Sequence, residues 1–301
     1  MRPDLNQTVR EIAIEHPTSV RVFESLGIDY CCGGKRSLQD ACERAGVPVE
    51  RALVLLTAVK EDSPADAANW RGATAQELIH HIVGQHHSYV RSETPRLMTM
   101  FEKVVSRHGQ ARPELASIRD LFEALTEELL VHMHKEENLL FPYFERMEAA
   151  VARGAAPPPA AFGSVEMPIS RMLADHDDAG ELLSKIRALS AEYQAPDSAC
   201  PTYRALYHGL EEFERDLHHH VHLENNILFP RALHMEQRGV ELAHEHHSPH
   251  RCEPGRSCRA RSEDAAHVNR LHPYGSSVPA AARHVSGSLE PDLDQQSARA
   301  R

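Results

Sequence analysis

Residues His132-Met-His-Lys-Glu136, followed by Asn138, Leu140, Phe141 and Pro142, return 88 positions later as His220-Val-His-Leu-Glu224, followed by Asn226, Leu228, Phe229 and Pro230. Residues four apart on an α-helix project from the same face, so each phrase turns an imidazole and a carboxylate toward one point. A lone histidine precedes each phrase at nearly the same distance: His87 lies 45 residues before His132, and His176 lies 44 before His220. Nitrogen and oxygen donors without cysteine suit iron, manganese or zinc. Two glutamates able to bridge favour a pair of ions over one closed tetrahedral site. Iron is the first choice among the three.

The duplicated unit has the size of a helical hairpin, and two such hairpins make one four-helix bundle. Capping and periodicity predict long helices over about 75–107, 113–153, 165–193 and 201–238. The capping box of Thr74 with Glu77 opens the first, and Pro113 and Pro201 suit first-turn positions. Connections are short except the Pro-rich stretch 154–161, a stiff crossover between the hairpins. Upstream, residues 1–62 read as a separate module of short helices, with a capping box at Thr8 and Glu11 and breaks at Pro17 and Gly27. After Gly239 the periodicity fails, and residues 239–301, rich in Arg, Ser, Pro and His, are expected to be a disordered tail. The fold class is therefore all-α: an antiparallel four-helix bundle over 70–238 behind a small helical N-terminal domain.

The apolar stripes place the donors inside that bundle. The second helix reads Leu121, Leu125, Leu129, His132, Glu136, Leu139, Tyr143, and the fourth reads Leu210, Phe213, Leu217, His220, Glu224, Ile227. His87 falls in line with Ile79, Val83 and Val90, and His176 with Ile169, Met172, Ala179 and Leu183. Two ionised carboxylates in such a seam cost several kcal/mol each unless compensated, and no Lys or Arg lies on these stripes. Metal cations are the natural compensation. Six protein ligands shared by two ions leave coordination positions open for water, an oxo or hydroxo bridge, or a small gas.

Composition narrows the partners. A net charge of −11 over 301 residues, with no basic patch interleaved with aromatics, argues against nucleic acid. The N-terminus lacks the apolar core of a signal peptide and the longest apolar run, 52–59, is too short to span a bilayer, so no membrane partner and a cytoplasmic location are expected. Six scattered cysteines are expected to be reduced thiols. The oligomeric state is left open, a homodimer included.

The chain resembles the Repair of Iron Centers (ScdA-like) family of hemerythrin-like di-iron proteins. The resemblance is carried by Asp29-Tyr-Cys-Cys-Gly-Gly-Lys35, His132-x-x-x-Glu136, Asp175-His176-Asp-Asp-Ala-Gly-Glu-Leu-Leu183 and His220-x-x-x-Glu224-Asn-Asn-x-Leu-Phe-Pro230, and extends over about residues 5–233. It implies a non-haem di-iron centre held by His87, His132, Glu136, His176, His220 and Glu224, with both glutamates bridging. Oxygen-carrying hemerythrins use a further histidine four positions after the third-helix ligand, where this chain has Gly180. A missing ligand suits labile iron. The resemblance implies repair of iron-sulfur clusters damaged by nitrosative or oxidative stress, by iron donation. Damaged iron-sulfur proteins or the cluster assembly machinery would then be partners, and nitric oxide or oxygen species small ligands. A nitric oxide-reducing di-iron enzyme and a hemerythrin-like gas or redox sensor are the alternatives.

Four further residues have two readings each. Cys31 and Cys32, with Gly33, Gly34 and Lys35, form an exposed-looking loop whose positive charge would favour thiolate, for which the resemblance implies a role in iron or thiol chemistry; simple packing is the other reading. Glu128, one turn before His132, and Asp175, beside His176, either orient a ligand or relay protons, or else sit in solvent. His81, His86, His134, His218, His219 and His222 are read as surface residues or supports of the ligands, with His86 the main rival to His87. The tail cluster from His244 to His250, with Cys252 and Cys258, could hold a soft metal weakly.

Overall fold

In the computed structural model, which describes residues 3–58, 70 and 72–247, the N-terminal module consists of α1 (Val9–Glu15), α2 (Val20–Leu26), α3 (Leu38–Arg44) and α4 (Val49–Ala58). Thr8 and Glu11 form the capping box on α1, and Ser37 caps α3 through the backbone N–H of Asp40. Val9, Ile12, Phe23, Tyr30, Leu38 and Leu56 close a core of their own.

Four rods follow. The first runs through α5 (Ala75–His81), a π-helical turn at Ile82–His87 and α6 (Ser88–His108); the second through α7 (Glu114–Lys135), a π turn at Glu136–Leu140 and α8 (Phe141–Ala152). The third is α9 (Glu166–Leu189), and the fourth runs through α10 (Pro201–Leu223), a π turn at Glu224–Leu228 and α11 (Phe229–His247). The expected helices stand, but three of the four rods are interrupted where the ligands lie. Pro142 and Pro230 explain two of the interruptions: each lacks an N–H for the carbonyl four residues back and crowds it, and one wider turn relieves both faults. The extra residue shifts the register. Leu139, expected inside, is 59% exposed, and Leu140 and Phe141 are buried in its stead.

The bundle has two apolar cores with a polar layer between them. Leu97, Phe101, Phe122, Leu125, Leu183 and Phe213 belong to one; Leu78, Ile82, Phe144, Ile169, Phe229 and Ala232 to the other. Each rod crosses from one core to the other at its histidine ligand. Among the described residues no other part of the bundle interior carries two carboxylates of zero exposure.

Gly239 does not stop the fourth rod. A Cβ there would collide with the ring of Pro157 in the crossover, so the glycine lets crossover and helix touch while α11 continues to His247. The expected tail boundary at 239 therefore moves past that helix, and the remainder of the tail, with the proposed His and Cys cluster, lies outside the residues whose side chains are described. Among the described residues no helix is long and apolar enough to cross a membrane.

Candidate metal centre

The polar layer contains two groups of four donors, His87, His220, Glu136 and Glu224 in one and His132, His176, Glu136 and Glu224 in the other, with the donor atoms of each group within 4.8 Å of one another. The two glutamates belong to both. Glu136 sets Oε2 3.5 Å from His87 Nε2 and Oε1 3.2 Å from His132 Nε2. Glu224 sets Oε1 3.0 Å from His220 Nε2 and Oε2 3.2 Å from His176 Nε2. The paired nitrogens, His87 with His220 and His132 with His176, stand 3.1 and 3.0 Å apart. Lone pairs face lone pairs across these gaps unless a proton or a cation intervenes.

The residues fit a pair of cations. Both oxygens of Glu136 and Oε2 of Glu224 are buried without a hydrogen-bond donor, a costly arrangement that a metal ion relieves. The donor set of imidazole nitrogens and carboxylate oxygens is the one that borderline first-row divalent ions take.

Behind the ligands an outer ring fixes which nitrogen is bare. His87 donates from Nδ1 to Glu137 Oε1 at 2.6 Å, and Arg91 Nη2 holds the same oxygen at 2.6 Å. His176 donates from Nδ1 to Asn225 Oδ1 at 2.7 Å. His132 Nδ1 lies 3.4 Å from Asp175 Oδ2, and Asp175 is in turn held by Arg171 Nε at 2.9 Å and Lys135 Nζ at 3.5 Å. With Nδ1 carrying the proton, Nε2 presents its lone pair to the centre. His220 differs: its Nδ1 has no partner, and the ring of His86 lies flat on it at 5.6 Å with 4° between the planes.

Glu137 and Asn225 escaped the sequence reading, although the signal is present. Each follows a proposed bridging glutamate by one residue and reaches the lone histidine of the preceding rod. Of the two residues proposed as relay or support, Asp175 contacts a ligand, whereas Glu128 sits on the exposed face of α7. His87 enters the donor set and His86, its rival, does not. His222, read as peripheral, is buried, with Nδ1 2.9 Å from Asn226 Nδ2 and its ring 5.3 Å from Tyr30.

The Cys31–Cys32 loop reaches the same layer from outside. Asp29 accepts the backbone N–H groups of Cys31, Cys32 and Gly33 at 3.2, 3.0 and 2.8 Å, curling the loop around a carboxylate. Asn226 Nδ2 donates to Tyr30 O at 3.0 Å, and Asn225 Nδ2 to Cys31 O at 3.5 Å. One amide thus ties the loop to His176. Gly34 permits the fit, since a Cβ there would stand 2.7 Å from Tyr30 O and 3.2 Å from Asn226 Oδ1. The exposed, electropositive loop read from Gly-Gly-Lys is corrected: Cys31 is buried, and the hydrogen bond with Cys32, burial and the nearby Asp29 push its thiol well above the usual range.

Charge in the layer is shared between carboxylates and protons. Burial opposes protonation of His132, yet Glu136, Glu224 and Asp175 outweigh it and raise the imidazole from 6.5 to about 9; against the same burial, Glu224, Glu136 and Glu137 raise His87. Burial lowers His220, and the neighbouring histidines, overcoming burial, hold Glu224 well below the usual carboxylate range. A metal must displace the His132 proton, so binding is expected to release protons and to tighten as pH rises from 6.5 toward about 9. The metal-free protein has the opposite dependence. A raised folded-state value contributes stability in full below 6.5 and loses it as pH climbs through about 9. Zinc titrations in buffers of different ionisation enthalpy check both statements, and a binding constant unchanged between pH 6.5 and 8 would remove His132 from the coordination sphere.

A family model described as the hemerythrin HHE cation binding domain matches residues 78–232, and the ScdA N-terminal model, described as a domain of unknown function (DUF542), matches residues 5–60. The protein named iron-sulfur cluster repair protein YtfE in Yersinia pestis (strain Pestoides F) is 35% identical over 228 residues, which cover 76% of this chain and 97% of the relative. The protein of the same name from Yersinia pseudotuberculosis serotype IB (strain PB1/+) matches to the same extent.

Proposed function

The chain belongs to the iron-sulfur cluster repair family that joins an ScdA-type N-terminal domain to a hemerythrin HHE domain, and from that premise we propose that it restores clusters damaged by nitrosative or oxidative stress by giving up iron from a non-haem dinuclear centre. His87 and His220 would hold one ion and His132 and His176 the other, with Glu136 and Glu224 offering an oxygen to both. Iron, when bound, is both the cargo and a centre with exchangeable coordination positions. Damaged iron-sulfur proteins are its targets.

The observation that carries this reading is the pair of buried carboxylates, each with its two oxygens directed to histidines of different groups. Such a set holds two ions without closing either coordination sphere. Gly180, one turn beyond His176, adds to the openness: a Cβ there would meet nothing within 4 Å. Glu137, Asp175 and Asn225 keep the ligand rings aimed while an ion is absent, so the site is ready to be refilled.

The test mixes the full chain, loaded anaerobically with Fe2+, with a dehydratase whose four-iron cluster nitric oxide has damaged. Activity is expected to return as iron leaves the chain, with no recovery from the metal-free protein. Recovery no better than that given by an equal amount of free Fe2+ would contradict the reading.

A further inference from the structure

Two thiols that the centre does not use nevertheless touch one of its ligands. Cys31 and Cys32 are free cysteines of the N-terminal module, yet Cys31 is buried in a core of the bundle and Cys32 packs against that core. Their sulfurs stand 4.0 Å apart. Cys31 Sγ also lies 3.5 Å from Asp29 Oδ1, while Cys32 Sγ lies 3.8 Å from the backbone oxygen of His176. Cys31 is 7% exposed whereas Cys32 is only half-buried, so a reagent arriving from solvent meets Cys32 first.

The loop therefore holds His176 at two points. Cys32 Sγ donates to its carbonyl oxygen, and the amide of Asn225 joins its ring, at 2.7 Å, to the carbonyl of Cys31, at 3.5 Å. Asp29 fixes the backbone N–H groups of Cys31, Cys32 and Gly33, so a change in the distance between the sulfurs is passed to His176 rather than absorbed by the loop.

We propose that Cys31 and Cys32 are a modification site for low-molecular-weight disulfides, which close the pair into a reversible disulfide that loosens His176 and lowers the hold on the ion it serves. The proposal rests on the dinuclear reading above. The Cys32 thiolate attacks one sulfur of the external disulfide, whose S–S bond breaks; one half leaves as a thiolate and the other stays on Cys32. Cys31 then loses its proton to solvent, its sulfur attacks Cys32 Sγ, and the second half leaves as a thiolate. Two protein thiols are oxidised and one external disulfide is reduced to two thiols. Bonding draws the sulfurs from 4.0 Å to about 2.05 Å, so Cys32 Sγ leaves His176 O and the Cys31 carbonyl shifts against Asn225. Adjacent Cα atoms are about 3.8 Å apart, below the span of about 4.4–6.8 Å usual for disulfides, so the ring is strained and a dithiol reopens it readily.

The test treats the full-length protein, loaded anaerobically with Fe2+, with glutathione disulfide, maps its cysteines by peptide mass spectrometry and follows transfer of iron to an excess of a chromogenic chelator. The wild type is expected to yield a peptide in which Cys31 and Cys32 have lost two hydrogens. Half of its iron should then leave on the order of tenfold faster, the lower end of what a ligand histidine loses with the group that orients it. An excess of dithiothreitol should reverse both changes. Cys31→Ser should instead accumulate glutathione on Cys32, and neither the ring nor the faster release should form in Cys32→Ser. Asn225→Ala should release iron at the fast rate while still reduced and gain little more on oxidation, a response that a purely structural role for the loop would not give. A stable glutathione adduct on wild-type Cys32, a disulfide joining two copies of the chain through this pair, or a closed ring with an unchanged release rate would overturn the proposal. Wild-type protein that responds in this way but rebuilds no cluster would sink the functional reading and leave this inference standing.

Discussion

Replacing Glu136 and Glu224 together with glutamine is expected to abolish stoichiometric iron binding while leaving a folded, helical, metal-free protein. Both carboxylates have zero exposure, and between them they face all four histidines. Glutamine keeps their shape and removes the two negative charges that draw cations into the layer. Four neutral imidazoles in two facing pairs cannot bridge, so affinity falls by orders of magnitude rather than by a fraction. The fold survives because the substitution also removes a burden: burying each carboxylate costs several kcal/mol, and His87 and His132 simply become neutral once the charges that hold their protons are gone. Metal analysis with circular dichroism checks both halves. Iron retained at wild-type stoichiometry by a folded double variant would mean that the ions, if any, lie elsewhere.

The second large effect is expected one layer out. Glu137→Ala and Asn225→Ala should each weaken metal binding roughly 10–100-fold, the range seen when a ligand histidine loses the group that orients it. The distances support equal weight, 2.6 Å to His87 and 2.7 Å to His176. Asp175→Ala should do less, since its contact to His132 is 3.4 Å and its charge is shared with Arg171 and Lys135. Chelator competition measures the affinities. Asn225→Ala has a second consequence that Glu137→Ala does not, because Asn225 also holds Cys31 O: the Cys31 thiol should react faster with a thiol-specific disulfide reagent. Equal thiol reactivity in the two variants would show that the amide does not join loop and centre.

Much of this layer was legible in the chain because it depends on local rules. The capping boxes at Thr8 and Thr74 announce α1 and α5, and the four-residue spacing of His132 with Glu136 and His220 with Glu224 survives into the folded donor sets. What failed to show did so for specific reasons. A fixed advance of 100° per residue has no place for the extra residue of a π turn, so the apolar stripe points Leu139 inward where Leu140 takes that position. Pro142 and Pro230, the physical cause, stood in plain view as part of the repeat.

Residues that act sideways are harder to find. Glu137 and Asn225 point neither into the seam nor to solvent but across to a neighbouring rod, a direction that single-helix periodicity does not encode. The burial of Cys31 and His222 depends on docking the N-terminal module against the fourth rod, a tertiary event to which the local Gly-Gly-Lys sequence gives no clue. Gly239 misled because a glycine near a helix end commonly ends it, while this one makes room for Pro157.

Anomalous diffraction at the iron edge from crystals of the loaded protein tests the central claim most directly. Two peaks are expected in the polar layer, one beside His87 and His220 and the other beside His132 and His176, with a carboxylate oxygen of both Glu136 and Glu224 in reach of each. A single peak, or peaks away from the two glutamates, would contradict the account.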